Sequence, residues 1–219
     1  MPISHDEDFP PFAKMRNGRS GGLAVDILRA AAARAEVEVE FVPVPFDQRQ
    51  LTLEDGRAQA YFPFSITPER LELFDFSDVV AMTGGSLFVR APNVPLESFE
   101  ALAGKTVVTP RTGPIAAFIK RTAPTVDLVL TANYEDSLDR LVRGEASAAA
   151  LSYHVGPRIA DRLYPSQVIR SPHVFIELPL AVAMLKGMHA ELLARLNAGI
   201  AAIRADSTWQ QINDRWVEK

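Results

Sequence analysis

The sequence contains no cysteine, and this absence excludes several kinds of site. A chain of 219 residues without cysteine cannot form disulfides, use a thiol in catalysis or bind a metal through cysteine. Long apolar runs are missing too. The longest stretch without a charged residue, Ala146 to Pro157, has 12 residues and contains a Gly and a Pro. This is short of the roughly 18 residues that a membrane-spanning helix needs.

An excess of positive charge is also absent. The chain has 23 Lys and Arg against 27 Asp and Glu, a formal net charge of -4. A protein dedicated to nucleic acid usually has a basic face, so this balance argues against one. Apolar residues make up 47% of the chain, which argues against intrinsic disorder and predicts a buried core.

Short apolar runs alternate with helical patterns, which is typical of an α/β protein. The length suits one large domain or two small lobes. Helical spacing predicts a helix with Val25, Leu28, Ala32 and Ala35 on one face, and another with Leu192, Leu196, Ile200 and Ile203. Asn133 is predicted to cap a helix, and Ser207 with Gln210 a final one. The predicted strands are 37–44, 61–66, 105–109, 127–130 and 147–151.

Arg70 is the first candidate for chemistry. It follows a predicted strand end in Phe64-Ser65-Ile66-Thr67-Pro68-Glu69-Arg70. Ligands of open α/β sheets bind at strand ends, and a guanidinium there suits a carboxylate through two parallel hydrogen bonds. The backbone N–H of Ser65 adds a donor. The alternative is an ordinary surface arginine paired with Glu69 or Glu72, since surface ion pairs specify little.

A second candidate is Arg111-Thr112-Gly113-Pro114, which lies between a predicted strand and the start of a helix. Backbone N–H groups and the helix dipole make such a position favourable for an anion. The alternative is a plain strand–helix connection.

Other candidates have less support. His5-Asp6-Glu7-Asp8 has metal-ligand residue types, but no second cluster at a fixed spacing accompanies it. A solvated acidic edge is the preferred interpretation, and no metal or cofactor is expected. No motif of hydrolases, zinc proteases, NTPases or dehydrogenases is present. The Phe residues cluster in the first third, where most belong to a core and some line an apolar pocket.

Several segments together resemble the family 3 solute-binding proteins of bacterial amino-acid ABC importers. Their order and spacing cover nearly the whole chain, and the ordered set is more specific than any single motif. The segments are Asp8-Phe9-Pro10-Pro11-Phe12, Gly22-Leu23-Ala24-Val25-Asp26-Ile27, Ser65-Ile66-Thr67-Pro68-Glu69-Arg70 followed by Phe74-Asp75-Phe76-Ser77, Leu102-Ala103-Gly104-Lys105-Thr106-Val107, and Ala205-Asp206-Ser207-Thr208-Trp209 to Trp216.

The resemblance implies a two-lobed type II periplasmic-binding fold. Each lobe would be a mixed sheet flanked by helices, with a two-strand hinge between them. We expect residues 1–83 and 177–219 in lobe 1 and residues 84–176 in lobe 2. The ligand would lie between the lobes and be buried when they close.

The resemblance also implies roles for individual residues. Arg70 resembles the clamp for the ligand's carboxylate, with the Ser65 backbone beside it. Thr112 and Gly113 resemble the second carboxylate contact. Aromatic walls for the ligand side chain correspond to Phe9 and Phe46. Phe62-Pro63-Phe64 replaces smaller residues of the family, which would make the pocket more aromatic, and Pro63 and Phe64 are expected to line it.

Two positions depart from the family's pattern. The family usually has an Asp that holds the ligand's ammonium, and the corresponding residue here is Ser152. Where the family offers a hydroxyl in the loop before the helix, this chain has Pro114, which also lacks an N–H. A standard α-amino acid is therefore a less secure ligand. Asp6, Asp8 and Glu177 are the candidates for a substitute carboxylate.

The implied function is capture of a small carboxylate-bearing solute, an amino acid or related organic acid, for delivery to an ABC permease in the membrane. Such a protein is expected to be a periplasmic monomer that has lost its leader and binds no nucleic acid. Two alternatives share the fold. One is an enzyme resembling cyclohexadienyl dehydratase, and the other is the ligand-sensing domain of a membrane receptor.

Overall fold

Strands and helices alternate along the residues that this computed structural model describes, which are 1–45, 48 and 51–217. The strands in chain order are β1 (Pro2–Asp6), β2 (Asp8–Phe9), β3 (Ala13–Arg16), β4 (Arg19–Gly21), β5 (Glu40–Val44), β6 (Ala60–Ser65), β7 (Phe74–Phe76), β8 (Ala81–Arg90), β9 (Thr106–Pro110), β10 (Asp127–Thr131), β11 (Ala148–Ser152), β12 (Val168–Arg170) and β13 (Ile176–Leu185). The helices are α1 (Leu23–Arg34), α2 (Leu51–Glu54), α3 (Pro68–Leu71), α4 (Pro114–Thr122), α5 (Tyr134–Val142), α6 (Val155–Leu163), α7 (Ala190–Ala205) and α8 (Thr208–Val217). None of the helices in these ranges is long and apolar enough to cross a bilayer.

The chain divides into two compact units. Unit 1 comprises Met1–Met82 and Pro179–Lys219, and unit 2 comprises Thr83–Leu178. The chain therefore leaves unit 1 once and returns to it once. Each unit has a buried apolar cluster of its own and contains both parallel and antiparallel strand pairs.

The strands of unit 1 come from both ends of the chain and pair in both directions. Strand β1 pairs in parallel with β5 on one side and β6 on the other. The part of β13 in unit 1 runs antiparallel to β6 and β7. Helix α1 packs against α7 and α8. The predicted faces of α1 and α7 are buried as expected, apart from Ala35 and Leu192, which are half-buried.

Helix α1 begins where two stretches of backbone lie unusually close together. The N–H groups of Leu23 and Ala24 donate to the carbonyls of Pro11 and Phe12, at 2.8 and 3.0 Å. These bonds satisfy donors that the first turn of a helix otherwise leaves open. Gly22, just before the helix, has φ 130°. A Cβ added to Gly22 would lie 2.3 Å from the Phe12 carbonyl oxygen, so only glycine fits this approach.

Unit 2 contains a strand–helix–strand–helix–strand segment, β9-α4-β10-α5-β11. Strand β9 pairs in parallel with β10 and β11, and β8 runs antiparallel to β11 and β12. Helix α5 begins as predicted, since the Asn133 side chain accepts from the N–H of Asp136 at 2.9 Å. The apolar core of this unit includes Leu87, Val107 and Ile119.

Two local predictions differ from the structure. The strand predicted over 37–44 begins only at Glu40. The last helix is present, but the N–H of Thr208 donates to the Asp206 carboxylate, and Ser207 has φ 64°. An N-cap residue is extended, so Ser207 does not form the predicted capping box.

The prediction of a solvated acidic edge at His5–Asp8 is wrong for its first half. His5 and Asp6 belong to β1, which has a neighbouring strand on both sides, and both are buried. Asp6 Oδ2 accepts from the Tyr61 hydroxyl at 2.7 Å, and His5 Nδ1 donates to the Asp6 carbonyl at 2.8 Å. His5 and Asp6 are buried because β1 pairs with other strands. The polarity of the individual residues does not reveal this pairing.

Burial of His5 predicts a loss of stability in mild acid. Burial, together with the positive charge of Arg29, lowers the pKa of the His5 imidazole against the opposing effect of its bond to the Asp6 carbonyl. The native state therefore takes up a proton at lower pH than the unfolded chain, whose histidines titrate near 6.5. The free energy of unfolding is therefore unaffected above about pH 7. It falls as the pH drops through about 6.5, the pKa of a histidine in the unfolded chain. We expect the thermal midpoint to decrease between pH 7.5 and 5.5.

The control for this pH effect is the variant His5→Gln, in which the decrease should be smaller than in the wild type. Carboxylates titrate mostly below pH 5, outside this window. An identical decrease in the wild type and His5→Gln would contradict the assignment.

Candidate ligand site

Arg70 lies against the end of β6. The Thr67 hydroxyl accepts from the Arg70 backbone N–H at 3.3 Å, which caps the short helix α3. The guanidinium lies over the Phe64 ring, with Cζ 3.6 Å from the ring centroid. Its Nη1 donates to the Ser65 carbonyl at 2.8 Å and also contacts Ser65 Oγ. The side chain is half-buried, so a planar cation is held in a defined orientation at a strand end.

The aromatic residues of β6 are mainly core residues. Phe64 packs edge-on against Tyr61 and Phe74, with ring centroids 5.1 and 5.7 Å away. Phe62 and Pro63 are also buried. Phe64 therefore has two roles: it fills the core of unit 1, and its ring supports Arg70.

Of the two predicted aromatic walls, the structure describes Phe9 alone. Phe9 is buried at the end of β2 and packs against Phe12, with ring centroids 5.8 Å apart. Phe46 lies outside the described residues, so its predicted role stays a prediction.

The second predicted anion contact lies in unit 2, at the N-terminus of α4. Thr112 and Gly113 are half-buried, and Pro114 is the first helical residue. Gly113 has φ 139°, a conformation that side chains disfavour, although a Cβ there would meet open space. The Arg111 backbone N–H donates to the Thr131 carbonyl at 3.0 Å, which fixes the start of this loop. The N–H groups of the first helical turn remain a favourable place for an anion.

Ser152 belongs to a group of polar side chains that we call the polar cluster, consisting of Thr83, Ser152 and His154. Ser152 Oγ lies 3.0 Å from Thr83 Oγ1, and Thr83 Oγ1 lies 3.2 Å from His154 Nδ1. The two hydroxyl residues are buried, and His154 is half-buried. Ser152 Oγ also accepts from the backbone N–H of Val155 at 3.4 Å.

Positive charge borders the polar cluster. The Arg170 guanidinium lies over the Tyr153 ring, with Cζ 3.7 Å from the ring centroid. Its Nη1 donates a hydrogen bond to the Tyr153 carbonyl oxygen at 2.9 Å. The Tyr153 ring in turn meets the His154 imidazole, with centroids 5.1 Å apart. Burial lowers the pKa of the His154 imidazole, and the positive charges of Arg170 and Arg158 lower it further. These groups disfavour an additional cation.

Sequence reasoning did not identify Thr83, His154 or Arg170 as candidates. For His154 a signal was available, since it follows the predicted strand end at Leu151 by three residues. Nothing local indicates Thr83 or Arg170, which lie 69 and 17 residues from their partners Ser152 and Tyr153.

The three candidates for a substitute carboxylate differ in their exposure to solvent. Asp6 is buried and accepts from Tyr61. Asp8 and Glu177 are exposed to solvent. Among the described residues, no group of three or more His, Cys, Asp or Glu side chains is arranged to hold a metal ion.

Comparison with known proteins gives one consistent result. All 219 residues match a family described as "Bacterial extracellular solute-binding proteins, family 3". The "ABC transporter glutamine-binding protein GlnH" of Bacillus subtilis (strain 168) is 26% identical over 94% of this chain and 77% of its own length.

Two solved structures align with this chain over nearly its whole length. "An ancestral arginine-binding protein bound to glutamine" is 26% identical and aligns with a TM-score of 0.86, covering 100% of this chain and 97% of that one. A histidine kinase sensor domain with similarity to periplasmic binding proteins is 25% identical, with a TM-score of 0.90, covering 99% and 95%. The fold is therefore the type II periplasmic-binding fold.

Proposed function

This chain belongs to the bacterial extracellular solute-binding proteins of family 3, and from that premise we propose that it captures a small carboxylate-bearing solute for an ABC importer. The observation that carries the proposal is Arg70, a guanidinium oriented at a strand end by the Phe64 ring and the Ser65 carbonyl. An arginine held in this way binds a carboxylate through two parallel charge-assisted hydrogen bonds.

The contacts we propose fall into one set on each unit. On unit 1, Arg70 and Ser65 hold the carboxylate, while Phe9, Pro63 and Phe64 supply apolar surface, joined by Phe46. On unit 2, the loop at Thr112 and Gly113 supplies backbone N–H groups for a second acceptor, and Ser152 contributes from the polar cluster. The names of similar proteins, which mention glutamine and arginine, support a ligand of comparable size.

We further propose that the protein works in the periplasm as a monomer and docks on a membrane permease. The family description and the ABC transporter named for the relative from Bacillus subtilis support this. The formal net charge of -4 gives no support for a nucleic-acid partner.

Binding without catalysis is the function that the similar proteins support, because their names describe binding. The likeness to a histidine kinase sensor domain makes ligand sensing the second candidate. Both functions need the same ligand site. Uptake of a labelled ligand by membrane vesicles containing the cognate permease, with and without the purified protein, separates transport from sensing.

A thermal-shift screen of amino acids, organic acids and opines tests the proposed function. A ligand that binds only the native state stabilises it by about 2.7 kcal/mol at a concentration 100 times its Kd, so a hit raises the thermal midpoint by several degrees. Prephenate and arogenate belong in the screen, with ultraviolet absorbance followed for turnover. The proposed function fails if no carboxylate raises the midpoint, and turnover would instead favour the dehydratase-like alternative.

A further inference from the structure

Unit 1 has a pocket that the proposed function does not use. It is lined by residues of β3, β4, α1 and β5, and its volume of about 620 Å³ suits a small molecule. The described residues that line it include two arginines, three apolar residues and a serine, namely Arg19, Arg29, Met15, Phe41, Pro43 and Ser20. No carboxylate, and none of the ligand contacts proposed above, is among the described lining residues.

The serine of this pocket is hydrogen-bonded to a fully buried histidine. Ser20 Oγ lies 2.7 Å from Nε2 of His5, which is 0% exposed. On the other side of the imidazole ring, Nδ1 lies 2.8 Å from the carbonyl oxygen of Asp6. A carbonyl oxygen only accepts, so Nδ1 carries the proton and Nε2 presents its lone pair to Ser20. The ring is therefore oriented to accept the proton of the Ser20 hydroxyl.

The Met15 sulfur is a second acceptor near the Ser20 hydroxyl. Its Sδ lies 3.5 Å from Ser20 Oγ, farther than His5 Nε2. Because a thioether sulfur is a weak acceptor, the hydroxyl proton points to the imidazole. Burial lowers the pKa of the His5 imidazole, so the ring is unprotonated at neutral pH and its lone pair is available.

Arg29 places a positive charge beside Ser20. Its Nη2 donates to the Ser20 carbonyl oxygen at 3.0 Å, and its Nη1 donates to the Asp26 carboxylate, also at 3.0 Å. The guanidinium lies over the Phe41 ring, with Cζ 5.1 Å from the ring centroid. These contacts hold the cation in a defined position at the pocket. Such a cation stabilises negative charge that develops on a reacting oxygen nearby.

We propose that Ser20 and His5 form a catalytic dyad that hydrolyses small esters carrying a negatively charged group. A hydroxyl bonded to a base, with the base oriented by a third group, is the arrangement that activates a serine nucleophile. The two arginines of the pocket favour an anionic ester, and its apolar residues favour a short hydrocarbon chain. This activity is additional to solute binding and does not depend on Arg70.

The reaction consumes one water and regenerates the dyad. Ser20 Oγ attacks the ester carbonyl carbon while its proton passes to His5 Nε2, and Arg29 stabilises the oxyanion. The bond to the alcohol oxygen then breaks, and Nε2 gives the proton to the departing alkoxide. Water attacks the acyl-serine in the same way, losing a proton to Nε2, and Ser20 Oγ leaves and takes that proton back. The products are a carboxylic acid and an alcohol.

The experiment measures both the nucleophile and the turnover. A fluorophosphonate probe, followed by peptide mass spectrometry, should label Ser20. Hydrolysis of mono-4-nitrophenyl glutarate, followed by nitrophenolate absorbance, should exceed that of the neutral ester 4-nitrophenyl acetate. Ser20→Ala should lose the label and lower the hydrolysis rate at least about 100-fold, since general-base assistance alone contributes about 10²–10⁴-fold. Ser98→Ala, which removes an exposed serine bonded to Glu100, should behave like the wild type.

The lack of cysteine in the chain provides a second measurement that does not need turnover. Ser20→Cys and Ser98→Cys each introduce a single thiol. A thiol beside histidine and arginine ionises more readily than an exposed one, so at pH 7 Ser20→Cys should react with iodoacetamide at least about fivefold faster than Ser98→Cys. Adding His5→Gln should reduce this advantage.

The results distinguish a catalytic dyad from a hydrogen bond that only satisfies the buried imidazole. Absence of a label on Ser20, or hydrolysis that Ser20→Ala leaves unchanged, would overturn the proposal. Circular dichroism establishes whether Ser20→Ala is folded. If it is not, the thiol comparison decides, and equal iodoacetamide rates for Ser20→Cys and Ser98→Cys would overturn the proposal.

Discussion

Arg70→Ala should weaken binding of the best carboxylate found by screening by at least about 100-fold, because truncating one partner of a buried charged pair costs roughly 2–5 kcal/mol. The lost group is the oriented guanidinium that lies over Phe64 and donates to Ser65. The protein itself should remain folded. Arg70 is half-buried, and its stacking contact contributes only about 0.5–1 kcal/mol at such a site. Calorimetry measures the affinity, and circular dichroism with thermal melting measures the fold.

Two further arginine variants sharpen this prediction. Arg70→Lys keeps the charge but loses the planar fork, so it should retain part of the affinity. Arg57→Ala removes an exposed arginine of the same unit, paired with Asp55 at 2.8 Å, and should bind like the wild type. An Arg70→Ala affinity within threefold of the wild type, in a folded protein, would exclude Arg70 as the carboxylate clamp.

Gly22→Ala should be among the most destabilising single changes in unit 1, although it adds one methyl group. The residue has φ 130°, which an alanine adopts only with strain. The new Cβ would also lie 2.3 Å from the Phe12 carbonyl oxygen and 2.8 Å from the Ala13 nitrogen, both of them backbone atoms. Strain and overpacking each cost about 1–3 kcal/mol, so we expect a loss of roughly 3 kcal/mol in the free energy of unfolding.

The neighbouring residue provides the control. Gly21→Ala adds the same methyl group one position earlier, where nothing lies within 4 Å and φ is not in the positive range. Its effect should stay within about 0.5 kcal/mol. Urea unfolding of both variants and the wild type measures the difference. Equal stabilities for the two variants would show that the chain at Phe12 and Ala13 can move away from α1.

The amount of the fold that the sequence predicts depends on how local the determining interaction is. The cap of α5 needs only Asn133 and a donor three residues later, and it is confirmed. The buried faces of α1 and α7 follow from helical spacing, and they are confirmed with small exceptions at their ends. At the last helix, two local alternatives compete, and Asp206 provides the cap in place of Ser207.

The candidate site was only partly predictable for the same reason. Arg70 and Ser65 are five residues apart, so their strand-end context is visible in one short motif. Phe64 looked like a pocket residue, yet it also fills the core, because Phe74 packs against it from another strand. His5 and Asp6 looked exposed by composition, yet both are buried in β1, where they pair with β5.

The sequence by itself determined the α/β class, several of the helices and strands, the family and the strand-end arginine. These depend on side-chain periodicity, capping and short ordered motifs, which are properties of neighbouring residues. Only the tertiary structure decided which polar residues lie together: it brings Thr83 to Ser152 across 69 positions, places Arg170 on Tyr153, and buries Asp6 against Tyr61. The physical reason is that charge and hydrogen-bonding environment depend on distance in space, and a sequence records separation along the chain.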